Sequence, residues 1–369
     1  MNSVPTSYHE LSFCHEKNEK KRCPQCGGFQ TKCKGFTGSL SQTSRGPVPR
    51  KLQRYYCHSC HISFTSQGYG KRLRYPVPYQ QEAVLDFVAS KSSSREVAYR
   101  FGVTHCTILQ WTQTLSAQMD TQTIPSPEDW SGYICFDGQE STVMGKKRVI
   151  LIATDTYTRF PFLYQSGIAE DHKLTLNFLS QVADRYPVEI TGITSDFGRG
   201  KCFVMPVATL FPEALHQICL VHYQRYLWQK IPRTRRSKFF WRNTVLKELI
   251  KRILKADTRE DSQYWLDVLL HFEPFFRAKY HRRFLRSVRR NYARLTAYYD
   301  DDQLPTTNNV SENCNRQLKR KLKNLDGFKS DQAREYFIKL WFACYQLKRL
   351  KIDRKQWRFY LWNNQNRPN

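Results

Sequence analysis

The chain has 369 residues, 40% of them hydrophobic and 14% aromatic, which suits two or three cored domains and excludes a disordered chain. Fifty-nine Lys and Arg face 32 Asp and Glu, a net charge of +27, and a field of that sign draws a polyanion, nucleic acid first, with a ribosomal or membrane surface as the blander partner. No apolar run approaches the ~20 residues that span a bilayer, so an integral membrane protein is excluded.

Residues 1–22 are polar and end in "EKNEKKR", which reads as a mobile tail. They lack the apolar core of a secretory signal, which places the chain in the cytoplasm, with the nucleoid if the cell is prokaryotic. The 12 cysteines are then thiols, metal ligands or core residues. Cys23 and Cys26 form one C-x2-C pair and Cys57 and Cys60 a second, 30 residues further on. Each pair suits a tight turn aiming two sulfurs at one ion, so residues 23–75 read as a ribbon built on structural Zn2+. The gap exceeds the usual spacing of about 15 to 20, which requires an extended hairpin between the pairs. Cys14, Cys33, His58 and His61 are spare ligands by type, and four free thiols are the bland alternative.

Over 76–118 the periodicity predicts three helices. Val84, Leu85 and Val88 stripe the first, Ser94 can cap the second, Gly102 supplies a turn, and Thr104 can cap a third carrying Ile108, Leu109, Trp111 and Leu115. This is the pattern of a helix-turn-helix, in which Thr104, His105, Thr107 and Gln110 would face a DNA major groove. An ordinary three-helix packing unit is the alternative. Residues 119–130, with two prolines, read as a linker.

Residues 131–232 change to a β-β-β-α-β-α-β order, which points to a mixed α/β sheet. Residues 233–303 are helical and strongly basic, and 304–369 open on turn residues before another helix. Asp137 ends a predicted strand in "ICFDG", Asp196 ends another in "TSDFG", and Glu312 sits in the first turn of a late helix. Three carboxylates from separate elements repel unless they share cations, and two Mg2+ ions ~4 Å apart would resolve this and suit phosphoryl transfer. Asp155, read as a turn residue, Asp171, read as a helix cap, and Glu140, read as a supporting acid, compete with them.

The order of motifs resembles that of Mutator-like and related bacterial insertion-sequence transposases. Asp137 is followed by Asp196 in "TSDFG", then after 22 residues by Cys219 and His222 in "CLVH". A basic helical block follows, then "TTNNVSENCNRQLKRKLKNLDGF" with Glu312. The resemblance spans about residues 130 to 350 and implies an RNase H-like DDE catalytic domain of the C-x2-H type. That domain would comprise 131–232 and 304–369, interrupted by the helical insertion at 233–303.

It further implies a DNA transposase that binds terminal inverted repeats of double-stranded DNA. Such an enzyme nicks and joins strands with Mg2+, for which Mn2+ can substitute, and works as a homodimer or larger assembly. Asp137, Asp196 and Glu312 would be the metal ligands. Trp241 in the insertion would stack on a displaced base, with helix core as the alternative. Asn315, Arg316, Lys319, Arg320 and Lys323 would continue from Glu312 as a strip on the scissile strand, or form a solvated charged face.

Cys219 and His222 find no further Cys or His pair nearby for a second zinc finger. A nucleophilic Cys/His pair is redundant beside three carboxylates. They read as a strand end and a helix start close to the acids, with His222 in core packing or beside a phosphate. Two other functions fit the same motifs: a DNA-binding regulator with an inactive domain, and a structure-specific nuclease of the same fold.

Overall fold

The computed structural model describes residues 21–362 without 25, 44–45, 66–74, 121–123, 198–201, 233–235 and 326, and the backbone alone for 39–43 and 46–51. The expected tail up to residue 20, Cys14, and the residues after the ribbon's last strand fall outside that set. The chain divides into two compact units with the boundary between Glu82 and Ala83. Among the described residues no helix is long and apolar enough to cross a membrane.

The first unit is a three-stranded antiparallel sheet of β1 (Thr31–Thr43), β2 (Gly46–Cys57) and β3 (Ser63–Thr65). The long spacer between the cysteine pairs is the β1–β2 hairpin, paired from Thr31 opposite Cys57 to Thr43 opposite Gly46. The register slips once between Cys33 and Phe36, where Gly35 takes φ +76°. The buried residues of this unit are few, chiefly Cys23, Cys57 and Phe64. An apolar core that small cannot hold the sheet by itself.

In the second unit, α1 (Val77–Ala89, which begins before the boundary) buries Ala83, Val84, Leu85, Phe87 and Val88. It is followed by α2 (Ser94–Arg100) and α3 (His105–Gln118). The cap of α2 is Ser93, one residue before the Ser94 expected, because Glu96 three positions on returns its carboxylate to the Ser93 N–H, closing a capping box. Gly102 takes φ +56° in the turn, and Thr104 caps α3 through the Thr107 N–H. Leu109, expected in the apolar stripe of α3, is 47% exposed; Ile108, Trp111 and Leu115 form the stripe without it.

A five-stranded sheet follows in the order β6-β5-β4-β7-β8. Strands β4 (Tyr133–Val143), β5 (Lys146–Asp155) and β6 (Pro161–Gly167) are antiparallel neighbours, and β7 (Gly192–Ser195) and β8 (Leu215–Ile218) add in parallel beside β4. On one face Ile134, Phe136, Leu151 and Ile193 pack against Phe178, Leu179 and Val182 of α4 (His172–Arg185) and Val207 of α5 (Val204–Leu210). Alternation sends Cys135 and Asp137 to the opposite face. That face is covered by α10 (Asn309–Lys323) and α11 (Asp331–Arg349), with Ser311 Oγ on the Ile152 carbonyl at 3.3 Å and Gln346 Nε2 on the Pro161 carbonyl at 2.9 Å.

Helix α6 (Leu220–Lys230) leaves β8 and joins a separate apolar core with α7 (Phe240–Leu254), α8 (Arg259–His271) and α9 (Lys279–Leu295), where Tyr223 and Leu227 meet Leu246, Ile250, Leu269 and Phe284. The three-helix segment at 83–118 is docked on the sheet's helices. Ser116 Oγ donates to the Tyr336 carbonyl (2.9 Å), and Trp362 Nε1, from α12 (Trp357–Trp362), donates to the Leu115 carbonyl (2.9 Å). Buried Lys321 of α10 donates to the carbonyls of Phe87 and Ser92, and burial lowers its pKa to about 8.

Two buried histidines make the fold acid-sensitive. His216 Nε2 lies 2.9 Å from Ser195 Oγ, whose own hydrogen goes to the Asp196 carbonyl, so the network assigns His216 as the neutral Nε2–H tautomer. Its Nδ1 has no partner, and burial, aided by Arg294, lowers its pKa to about 3. His281 Nδ1 accepts the Ala278 N–H at 3.3 Å and its Nε2 faces Asn243 Oδ1 at 2.7 Å, while burial lowers its pKa to about 4. Both pKa values lie below that of an unfolded histidine, so stability present above about pH 6.5 is lost as pH falls, by up to about 1.4 kcal/mol per unit for each group. The urea midpoint should drop between pH 6.5 and 4.5, and His281→Gln, which keeps a neutral donor, should flatten the slope.

Candidate active site

The ribbon's four cysteines meet at one end of its sheet. Cys23 and Cys60 sulfurs are 3.5 Å apart, those of Cys26 and Cys57 are 3.6 Å apart, and all four lie within 4.8 Å of one another. The two turns are built alike. The Cys23 N–H donates to the Gly28 carbonyl and the Cys57 N–H to the Ile62 carbonyl, and the residue after each second cysteine has positive φ, Gly27 at +71° and His61 at +58°. The Cys60 amide lowers the Cys57 thiol to about 6, whereas burial and the neighbouring sulfurs raise Cys60 to about 12. Four thiolates this close need a cation, and four sulfurs are a donor set for Zn2+. Of the spare ligands, Cys33 and His58 are exposed and His61 Nδ1 is engaged by the Tyr56 hydroxyl at 3.1 Å. Metal analysis of the full chain should find zinc that survives dialysis, and the Cys23→Ser/Cys57→Ser chain should lose one equivalent of it.

In the second unit, strand register builds the other site. Phe136 pairs with Ser195 and Ser195 with Ile218, so Asp137, Asp196 and Cys219 each come next in line along adjacent parallel strands. The Cys219 N–H continues the ladder to the Ser195 carbonyl at 2.7 Å. The Leu220 N–H binds the Thr306 carbonyl at 3.0 Å, which brings the "TTNN" turn to this edge and starts α10 there with Glu312 in its first turn. His222, in the first turn of α6, reaches Glu312, with Nε2 3.0 Å from Oε1.

Asp137 Oδ2 accepts from Asn315 Nδ2 at 3.0 Å and Oδ1 from the Gly138 N–H at 2.9 Å. Burial raises the Asp137 pKa well above the carboxylate range, and the charges of Asp196 and Glu312 add to it, against those two hydrogen bonds. The Cys219 thiol beside it raises His222, opposed by burial and supported by Asp196 and Glu312. His222 Nδ1 and Asn315 Oδ1 are buried without a hydrogen-bond partner. Carboxylates that raise one another's pKa in this way are of the oxygen-donor type that hard divalent cations take.

Other readings shift. Asn315, expected to lie along a DNA-facing strip, is buried because its position on α10 points at the sheet, where it holds Asp137. Arg316, Lys319, Arg320 and Lys323 are exposed. Asp155 holds the β5–β6 hairpin turn as read, accepting the Tyr157 and Thr158 N–H groups, and it is also fully buried; although burial raises it, donors from Tyr186, Ser131 and Thr158 hold it below the usual carboxylate range. Asp171 caps α4 as read, through the Leu174 N–H at 2.8 Å. Glu140, weighed as a supporting acid, is exposed and paired with Lys147 at 3.2 Å. Glu170 takes the place beside the site instead: its carboxylate lies so close over Gly138 that no side chain would fit there without moving it. A single acid ahead of a helix cap gave no sign of this.

Thr104, His105 and Gln110 are exposed on α3 and Thr107 is partly so. Trp241, for which helix core was the alternative, is 76% exposed on α7. A cavity of about 730 Å³ opens from Asp196 and His222 between α6 and α9, lined by Arg225, Lys230, Arg283 and Arg290. No motif marked these four cations among the 59 in the sequence. Asn315→Ala should leave the fold intact and cost about 10–100-fold in Mg2+ affinity, measured by calorimetry, the usual penalty for removing a group that orients a ligand.

The sheet, its carboxylates and the basic surroundings define an α/β protein with an acidic centre. The chain belongs to the Mutator family of transposases, whose family model matches residues 161–345, half of its length. The matched span includes Asp196, Cys219, His222 and Glu312 and starts after Asp137. Compared with individually curated proteins, the chain matches none.

Proposed function

We propose that this transposase binds the terminal inverted repeats of its element and carries out Mg2+-dependent strand cleavage and strand transfer at Asp137, Asp196 and Glu312. The observation behind the reading is the convergence of these three acids, with burial and like charge raising Asp137. Family membership supports the general class. The strand order, three antiparallel strands continued on one side by two parallel ones, with Asp137 on the central strand and Asp196 just after its parallel neighbour, is what an RNase H-like domain would have.

Two Mg2+ ions, or Mn2+ in their place, would be held by the three carboxylates and would supply an activated water or 3′-hydroxyl and a stabilised leaving oxygen. The chain's own contributions are distinct. Asn315 keeps Asp137 oriented, and His222 stands against Glu312. Arg225, Lys230, Arg283 and Arg290 offer phosphate contacts along the cavity that leads away from Asp196. Arg316, Lys319, Arg320 and Lys323 offer a second track from the Glu312 end of α10. Thr104, His105, Thr107 and Gln110 would read the repeat, the ribbon would carry Zn2+, and exposed Trp241 would stack on an unpaired base. A homodimer or larger assembly would pair two element ends.

The test is a strand-transfer assay on DNA bearing the element's own ends. Wild type should cut and join in Mg2+, and Asp196→Ala should fall to background while still binding the repeat. Cutting and joining by Asp196→Ala at the wild-type rate would falsify the assignment. Repeat binding without any cutting by wild type would favour a regulator with an inactive domain. Cutting with no preference for the repeat over random duplex at ~150 mM salt would favour a structure-specific nuclease.

A further inference from the structure

We propose that Cys219, His222 and Glu312 form a second soft-metal site, which takes Zn2+ independently of the ribbon. One ligand atom from each residue lies within 4.8 Å of the other two. Bonds of about 2.0–2.3 Å around tetrahedral zinc put ligand atoms about 3.3–3.8 Å apart, so side-chain movement of about 1 Å closes the set. Cys219 is a fully buried thiol in no disulfide, and His222 Nε2 already lies 3.0 Å from Glu312 Oε1. Three donors of three types thus face one point.

The backbone holds them there. Cys219 is fixed by its N–H on the Ser195 carbonyl, His222 by the first turn of α6, and Glu312 by the first turn of α10. The short sequence spacing hid the site, because the third ligand comes from a helix far along the chain. Sulfur, imidazole and carboxylate with a fourth position left for water suit Zn2+ and not Mg2+, which takes oxygen ligands. Binding displaces one proton from the Cys219 thiol to solvent and leaves the metal in its +2 state.

Resting on the transposase reading, the site has a consequence. Glu312 would be shared between the two kinds of ion, so zinc here would withdraw a carboxylate from the Mg2+ site and stop strand cleavage.

The test uses the full chain with its ribbon already zinc-loaded and Co2+ as the probe. Wild type should take up one further equivalent, with a thiolate-to-cobalt charge-transfer band, while metal analysis shows the ribbon's zinc still in place. Cys219→Ser should lose the band. His222→Ala, at a less buried position, should weaken uptake at least tenfold and guards against misfolding of the serine variant. No band in wild type, or an undiminished band in Cys219→Ser with the ribbon zinc retained, overturns the site. Absence of DNA cleavage in Mg2+ alone would sink the transposase reading and leave the cobalt result standing. Cleavage without a cobalt band would do the reverse.

Discussion

The repulsion among Asp137, Asp196 and Glu312 is the constraint around which the second unit is arranged. Three carboxylates brought together with Asp137 enclosed cost free energy that no hydrophobic contact at the same spot returns. The chain tolerates the arrangement by surrounding it with rigid supports. Two acids follow residues paired in register on adjacent parallel strands, so neither can swing away without breaking the ladder. The third is fixed by α10, which begins at the same edge because the Leu220 N–H captures the Thr306 carbonyl. Partial relief comes from Asn315 and the Gly138 N–H on Asp137, and from His222 against Glu312. A site that stays strained until cations arrive is an expected state for a metal-dependent centre.

Helix α10 ties this centre to the docked three-helix segment. Its first turn carries Glu312, its middle holds Asp137 through Asn315, and its last turn sends Lys321 into the carbonyls at the end of α1. A lysine that donates to two main-chain carbonyls and lies near the rings of Phe87 and Phe337 is not readily replaced by an apolar residue, since the carbonyls would lose their donor. The helices that would read DNA and the helix bearing one of the acids are therefore joined through α10.

Much of this was legible in the sequence, for physical reasons that differ by element. The ribbon followed from spacing, because two sulfurs on a tight turn imply two more. The helical segment followed from the period of Val84, Leu85 and Val88 and from Thr104 as a cap, although the capping box moved the α2 start by one residue. Asp196 follows the end of β7 as expected, whereas Asp137, expected to end a strand, lies inside β4 opposite Ile152, because β4 runs on beside β5 after its parallel pairing with β7 stops at Phe136. What could not be read was contact between distant elements. Asn315 looked like part of a basic strip because its helical neighbours are cationic, yet the rotation of α10 turns it to the sheet. Asp155 is the turn residue it looked like, but its burial under Tyr186 and Ser131 had no signal. Glu170 had no signal at all, since its proximity to Gly138 depends on how α4 crosses the sheet.

The stretch around Cys219 and His222 shows the same limit from the other side. Within "CLVH" it offers two donors, too few for a metal, and the strand-end reading is the natural one. Folding adds the third donor by placing the start of α10 against the start of α6. The carboxylate that would complete a hard-cation set with Asp137 and Asp196 would thereby also complete a soft set with a thiol and an imidazole. One glutamate at the junction of two donor sets of different softness can answer to the kind of divalent ion present, because Mg2+ gains nothing from sulfur and Zn2+ gains much. The cation-lined cavity beginning at Asp196 and His222 opens from that same junction, so whichever ion Glu312 holds sits where a phosphate entering along α6 and α9 would arrive.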